Sequence, residues 1–154
     1  MSWLKLIAIA LPLIIVVYFA SLSYLTRHNK IKPVGERELT PCPTTPNCVS
    51  TLARESSKQV DVFPVDKADP AASWKKLADA IQSAGGEILL DDGRYLHAVF
   101  TSTLFRFKDD LEAQLAEDHI DLRSASRAGK SDLGQNRKRV EHIRQIYLTT
   151  NPLQ

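Results

Sequence analysis

The run LIAIALPLIIVVYFASLSYL, Leu6 to Leu25, sets twenty residues in succession without a charge. Wound as an α-helix it is about 30 Å long, the thickness of a bilayer's hydrocarbon core. Trp3 and Tyr24 stand at its two ends, where aromatic rings favour the water interface. Pro12 is tolerable inside it because neighbouring groups satisfy the freed carbonyl. The run is longer than the roughly 7–15 apolar residues of a signal peptide. Small residues near Ser21 and Ser23 leave cleavage open, and no cysteine follows closely enough for a lipoprotein anchor. The pattern predicts a tail over residues 1–5, an uncleaved transmembrane anchor over 6–25, a linker over 26–38 and a domain over 39–150.

Past the anchor the hydrophobic positions become periodic. Ile31 to Thr40 is polar, and Pro33 and Gly35 favour an irregular path. Val60, Val62 and Val65, broken by Pro64, predict a short edge strand. DPAASWKKLADAIQSAGG reads as a helix: Asp69 caps it, Pro70 suits its first turn, and Gly85-Gly86 end it. Trp74, Leu77, Ala78 and Ile81 share one face of that helix. Asp92-Gly93 then marks a hairpin. In its second strand Leu96, Ala98 and Phe100 alternate with Tyr95, His97 and Val99, which puts the first set on the helix and His97 on the opposite sheet face. LFRFKDDLEAQLAEDHIDLRSAS fits two strands joined near Glu117-Asp118, although Leu111 and Leu115 also suit a helix. A last helix carries Leu133, Val140, Ile143 and Tyr147 on one face with Asn136 among them. Gln135, Lys138, Arg139 and His142 lie on its other face, and Ser131 or Asp132 caps its start. The expected architecture is α+β: a small antiparallel sheet packed with two helices, preceded by one N-terminal transmembrane helix.

Charge changes the picture at one place. The first 32 residues hold four basic and no acidic side chains, so the remainder has 16 basic against 18 acidic, a net −2. Within it RSASRAGKSDLGQNRKR, Arg123 to Arg139, carries +5, which leaves −7 for everything else. A basic face of Arg137, Lys138, Arg139 and Arg144 could follow a phosphate backbone. The acidic surroundings, the anchor and the lack of an aromatic platform in the segment argue against nucleic acid.

Two cysteines, Cys42 and Cys48, bracket five residues in PCPTTPNCV. This Pro-flanked spacing suits a disulfide loop; a pair of free thiols is the alternative. A stable disulfide needs an oxidising compartment. The positive-inside count, with Arg27, Lys30 and Lys32 after the anchor against Lys5 before it, points the other way, to a cytoplasmic domain. The cysteines are not spaced as CxxC, and His28, His97, His119 and His142 lack ligand spacing. Redox catalysis and a metal site are therefore not expected, and no cofactor is implied.

PCPTTPNCVST, the pair Asp109-Asp110, and RSASRAGKSDLGQNRKR together resemble the DUF1499 family, over about Leu39 to Tyr147. Lys130 departs from the pattern, standing where many relatives have an uncharged residue. The resemblance implies a small α+β domain behind an export signal or anchor, and it implies no reaction. It tips the expected location to the inner membrane, single-pass, with the domain in the periplasm.

Three readings of the basic segment follow. The structural one pairs Asp109 and Asp110 with Arg123 or Arg127, tying the last strand to its neighbour, with Asn136 bonding loop carbonyls. A ligand reading holds a small anion with Arg123, Ser124, Ser126, Arg127, Lys130, Ser131 and Asn136, where a Gly-containing loop enters a helix N-terminus; Lys58 serves there as a remote control. An enzyme reading makes Ser126 a nucleophile with His97 or His142 as base, but no GxSxG turn surrounds it. The expected function is a membrane-anchored binding or structural module, its partners the membrane and a small anion or another envelope protein. The alternative is a hydrolase-like enzyme using Ser126.

Overall fold

The computed structural model describes residues 3–28 and 38–150. Most of the expected linker, residues 29–37, lies outside the described residues. The apolar run forms one helix, α1, Trp3–His28, with Pro12 inside it. Its stretch Leu6–Thr26 is long and apolar enough to cross a membrane.

The domain is an antiparallel sheet with two helices on one face. Its strands are β1 (Cys48–Ser50), β2 (Phe63–Pro64), β3 (Glu87–Asp91), β4 (Tyr95–Thr101), β5 (Lys108–Leu115) and β6 (His119–Ser126), in the order β1-β6-β5-β4-β3. From β3 to β6 the chain meanders between neighbours. β1 and β2 lie end to end along the outer edge of β6, pairing Ser50 with Arg123 and Phe63 with Ile120. The edge strand is Phe63–Pro64, and the buried side chain is Phe63, while Val62 is exposed. Pro64 sits on a sheet edge, where its missing N–H costs no ladder bond.

Helix α2, Pro70–Ser83, starts as its sequence dictates: Asp69 accepts a hydrogen bond from the Ala72 N–H at 2.9 Å, and Pro70 takes the first turn. Trp74, Leu77 and Ile81 pack on Leu96, Ala98, Phe100, Leu111 and Leu122 of the sheet. The hairpin turn is held by Asp92, which accepts from Arg94 and Tyr95 backbone N–H groups, with Gly93 at φ 84°. Trp74 Nε1 donates to Asp91 at 2.8 Å, fastening the helix to that hairpin. The strand reading of residues 108–126 holds, because Leu111, Ala113, Ile120 and Leu122 all reach the core.

Helix α3, Gln135–Thr149, begins two residues later than its apolar pattern suggests. Leu133 lies outside it, 84% exposed at φ 54°. Val140, Ile143 and Tyr147 are buried against α2 and the sheet, and Asn136 is buried beside them. Cys42 and Cys48 form a disulfide. Lys58 is no remote surface lysine: it is buried, and its ammonium donates to the carbonyls of Pro43 and Thr44 in the disulfide loop and pairs with Glu55.

Candidate functional site

Alternation along β5 sends its two adjacent aspartates to opposite faces, and each face builds its own polar cluster. On the face away from α2 and α3 stand Tyr95 and His97 of β4, Asp110 and Glu112 of β5, and Arg123 of β6. The register sets Glu112 directly across from Arg123, and Asp110 across from Ala125. Arg123 Nη1 therefore donates to Glu112 Oε2 at 2.9 Å. Tyr95 and Thr40 hydroxyls donate to the other oxygen of the same carboxylate, at 2.8 and 3.2 Å.

Of the two expected partners of Asp110, Arg127 pairs with it and Arg123 does not; Asp109, expected on the same arginines, pairs with Arg139. Glu112 lies closer in register and captures Arg123, so Asp110 is left to Arg127. That pair is bidentate: Nε to Oδ2 at 2.9 Å and Nη2 to Oδ1 at 2.7 Å. His97 Nε2 shares Asp110 Oδ1 at 2.7 Å. Burial alone would raise the Asp110 carboxyl, but the bonds from His97 and Arg127 outweigh it and hold it at about 2. Burial, with the Glu112 carboxylate beside it, pushes the Tyr95 phenol well above its ordinary value. The roof over this cluster is the end of α1. Arg127 Nη1 reaches the Thr26 carbonyl at 3.3 Å, and Ser23 and Thr26 are buried.

On the helix-bearing face the centre is Asn136, fully buried. Its side-chain carbonyl accepts from Ser124 Oγ at 2.7 Å and from Arg139 Nη1 at 2.5 Å. Its amide lies within 3.1 Å of the Asn47 carbonyl, Ser126 Oγ and Asp132 Oδ2. Arg139, expected on the outer face of α3, turns inward instead. It pairs with Asp109 at 2.6 Å and lies 4.6 Å from the Phe100 ring centroid. An arginine can do this because its long apolar stem covers hydrophobic surface while its head finds a partner. Elsewhere on α3, Arg137 donates to the Ser57 and Gln59 carbonyls, and Arg144 donates to the Asp61 carbonyl while lying over the Phe63 ring.

The chemistry open to these groups is narrow. Ser126 lies on the helix-bearing face with Asn136, whereas His97 lies on the other face with Asp110, and His142 is exposed. The structure thus separates the serine from both candidate bases. Asp132 fills the start of α3 from within, accepting from the N–H groups of Gly134 and Asn136. That position is where a bound anion would take its backbone donors. Of the seven candidate ligand residues, Arg123, Ser124, Ser126, Arg127 and Asn136 are engaged inside the fold, and Lys130 and Ser131 are exposed. No group of three or more His, Cys, Asp or Glu able to hold a metal occurs among the described residues. An open cleft of about 440 Å³ lies beside the disulfide, walled by Leu39, Thr40, Cys42, Leu52 and Arg54.

Sequence reasoning missed Glu112, Tyr95, Asn47 and Arg139 as members of these clusters. Glu112 had a signal, since it shares a strand face with Asp110. Asn47, whose amide donates to the Gly129 carbonyl at 2.8 Å, was marked only by its place in the PCPTTPNCVST motif beside Cys48.

No curated protein matches the chain. A family model described as "Protein of unknown function (DUF1499)" matches residues 38–146, from the strap before the disulfide to the last turns of α3. That match spans both polar clusters and every strand of the sheet, and the chain belongs to the DUF1499 family.

Proposed function

We propose that this protein is a membrane-anchored module of the cell envelope, in which α1 stays attached and the folded domain acts as a binding or structural element rather than a catalyst. One observation carries the reading: the end of α1 is part of the domain's interior. Ser23 and Thr26 are buried, and the Thr26 carbonyl is held by Arg127. A leader destined for removal has no use for such a contact, and cutting near Ser21 or Ser23 would strip the roof from the Asp110 cluster.

The domain is placed on the periplasmic side of an inner membrane, supported by the Cys42–Cys48 disulfide. The basic segment serves mainly as framework, since Arg123, Arg127 and Arg139 each meet a carboxylate. If a small anion binds there, Lys130 and the exposed backbone around Gly129 are what it meets.

Two measurements test the reading. The intact mass of protein extracted from membranes should be that of the full chain, and a mass short of residues 1–23 would overturn the anchor. Parallel C-terminal fusions to alkaline phosphatase and to a cytoplasm-active reporter should give activity from the phosphatase. The opposite result would place the domain in the cytoplasm.

A further inference from the structure

The loop between β4 and β5, residues 102–107, reads STLFRF. It closes on itself through Ser102, whose backbone N–H donates to the Phe107 carbonyl and whose hydroxyl accepts from the Phe107 N–H, both at 2.9 Å. Its aromatic rings leave the domain and meet α1. Phe105 stacks on Phe19 with centroids 4.5 Å apart and planes 20° apart, and Phe107 lies 6.1 Å from the same ring. Leu104 at the tip is 80% exposed, and Arg106 is exposed beside it.

A single exposed leucine on a soluble surface carries no message. The position of this one does. Phe19 precedes Thr26, the end of the apolar span, by seven residues, which is about 10 Å along a helix axis. Ser23 and Thr26 are already inside the domain, so a loop that stacks on Phe19, about one helical turn before Ser23, sits where the helix leaves the domain for the bilayer. Around Phe19 the helix presents Val16, Val17 and Tyr18 outward, each more than half exposed, so the loop joins a continuous apolar surface.

We infer that the Leu104–Phe107 loop is a second membrane element: it inserts its leucine and phenylalanines into the lipid beside α1, with Arg106 reaching the phosphate headgroups. The composition suits an interfacial position, where aromatic rings sit at headgroup level and a long basic side chain extends to phosphate. The consequence is orientational. With helix and loop both in lipid, the β4–β5 end of the sheet faces the bilayer, and the β3–β4 and β5–β6 turns point away from it.

The inference rests on α1 being a retained anchor, and the test separates the two ideas. The full chain carries Leu104→Cys, Leu13→Cys or Leu148→Cys, with a nitroxide on the introduced thiol. Cys42 and Cys48 are tied up as a disulfide and do not label. The proteins are placed in vesicles of phosphatidylethanolamine and phosphatidylglycerol, and collisions with oxygen and with a water-soluble nickel chelate are measured. Positions 13 and 104 should collide preferentially with oxygen, and position 148, near the far end of α3, with the chelate. Position 13 in lipid with 104 in water overturns the loop proposal and leaves the anchor standing. Position 13 in water overturns the anchor and the loop with it. Spin–spin broadening at 104 that disappears on dilution with unlabelled protein would mean a second copy covers the loop, and would also overturn the proposal.

Discussion

Replacing Arg127 with alanine removes both donors from one side of Asp110 and leaves that carboxylate with His97 alone. Holding the Asp110 carboxyl at about 2 rather than 3.8 corresponds to about 2 kcal/mol of net preference for its ionised form. Stripping one partner from a deeply buried pair costs about 3–5 kcal/mol. Asp110 is 23% exposed and keeps His97, so the expected loss for Arg127→Ala is about 2–3 kcal/mol. Asp110→Ala should lose a similar amount, and the double variant should lose less than the sum by about 2 kcal/mol. The assay is urea unfolding of the full chain in mild detergent, followed by Trp74 fluorescence with Trp3 replaced by phenylalanine. Asp110→Ala combined with Arg123→Ala is the internal control, and should be nearly additive because Glu112 holds Arg123. The pH dependence has a definite sign. The folded carboxyl lies below its unfolded value, so its contribution is complete above about pH 4 and disappears as the pH falls through about 2. Asp110→Asn should lack that acid limb. Additivity of the Asp110 and Arg127 variants within about 0.5 kcal/mol, or an unchanged acid limb, would refute the reasoning.

The other expected outcomes concern single contacts. Asn136→Ala takes one partner each from the Ser124 hydroxyl, which keeps Arg139, and from the Asn47 carbonyl, which keeps the Ser126 N–H, and should cost about 1–3 kcal/mol, with amide exchange accelerating first at the start of α3. Cys42→Ser with Cys48→Ser should lower stability by about 2 kcal/mol, read as a lower urea midpoint that reductant reproduces in the parent chain. At Gly86 an added Cβ would come within 2.7 Å of Ile81 Cγ2, 2.8 Å of Phe100 Cζ and 3.0 Å of the Ile81 carbonyl. Gly86→Ala should therefore cost about 1–3 kcal/mol, and Gly93→Ala, strained in backbone but open in space, is the comparison in the same melting experiment.

The secondary structure was legible where two signals agreed. Asp69-Pro70 and the 3.6-residue spacing marked α2 together, and Asp92-Gly93 with flanking alternation marked the hairpin. The start of α3 was misread because Leu133 continued the apolar spacing, although Gly134 takes φ 76° and starts the helix after it. The polar clusters were half legible. A turn at Glu117-Asp118 already fixes which residues of β5 and β6 face each other, and counting outward from it puts Glu112 opposite Arg123. Asp110 was singled out by its neighbour Asp109 and the motif around it, rather than by that count. The inward turn of Arg139 was out of reach, because helical periodicity assigns an arginine to solvent unless the carboxylate waiting inside, Asp109, is already placed. Nothing in the spacing of residues showed that the end of α1 would roof a sheet face.

The order of pairing along β6 has a kinetic side. β3 to β6 each pair with the strand next in sequence, so that meander closes with short loops and can form early. Apart from a local bridge between Ser50 and Gln59, β1 and β2 pair with residues 119–125, more than fifty positions downstream, and closing a long loop slows the contact that depends on it. During synthesis the first third of the domain has no sheet to join until nearly the whole chain has emerged. The disulfide loop spans only six positions, so it can close while β1 is still unpaired. The Cys42–Cys48 bond can then form on a waiting segment, ahead of the long-range docking of that segment onto β6.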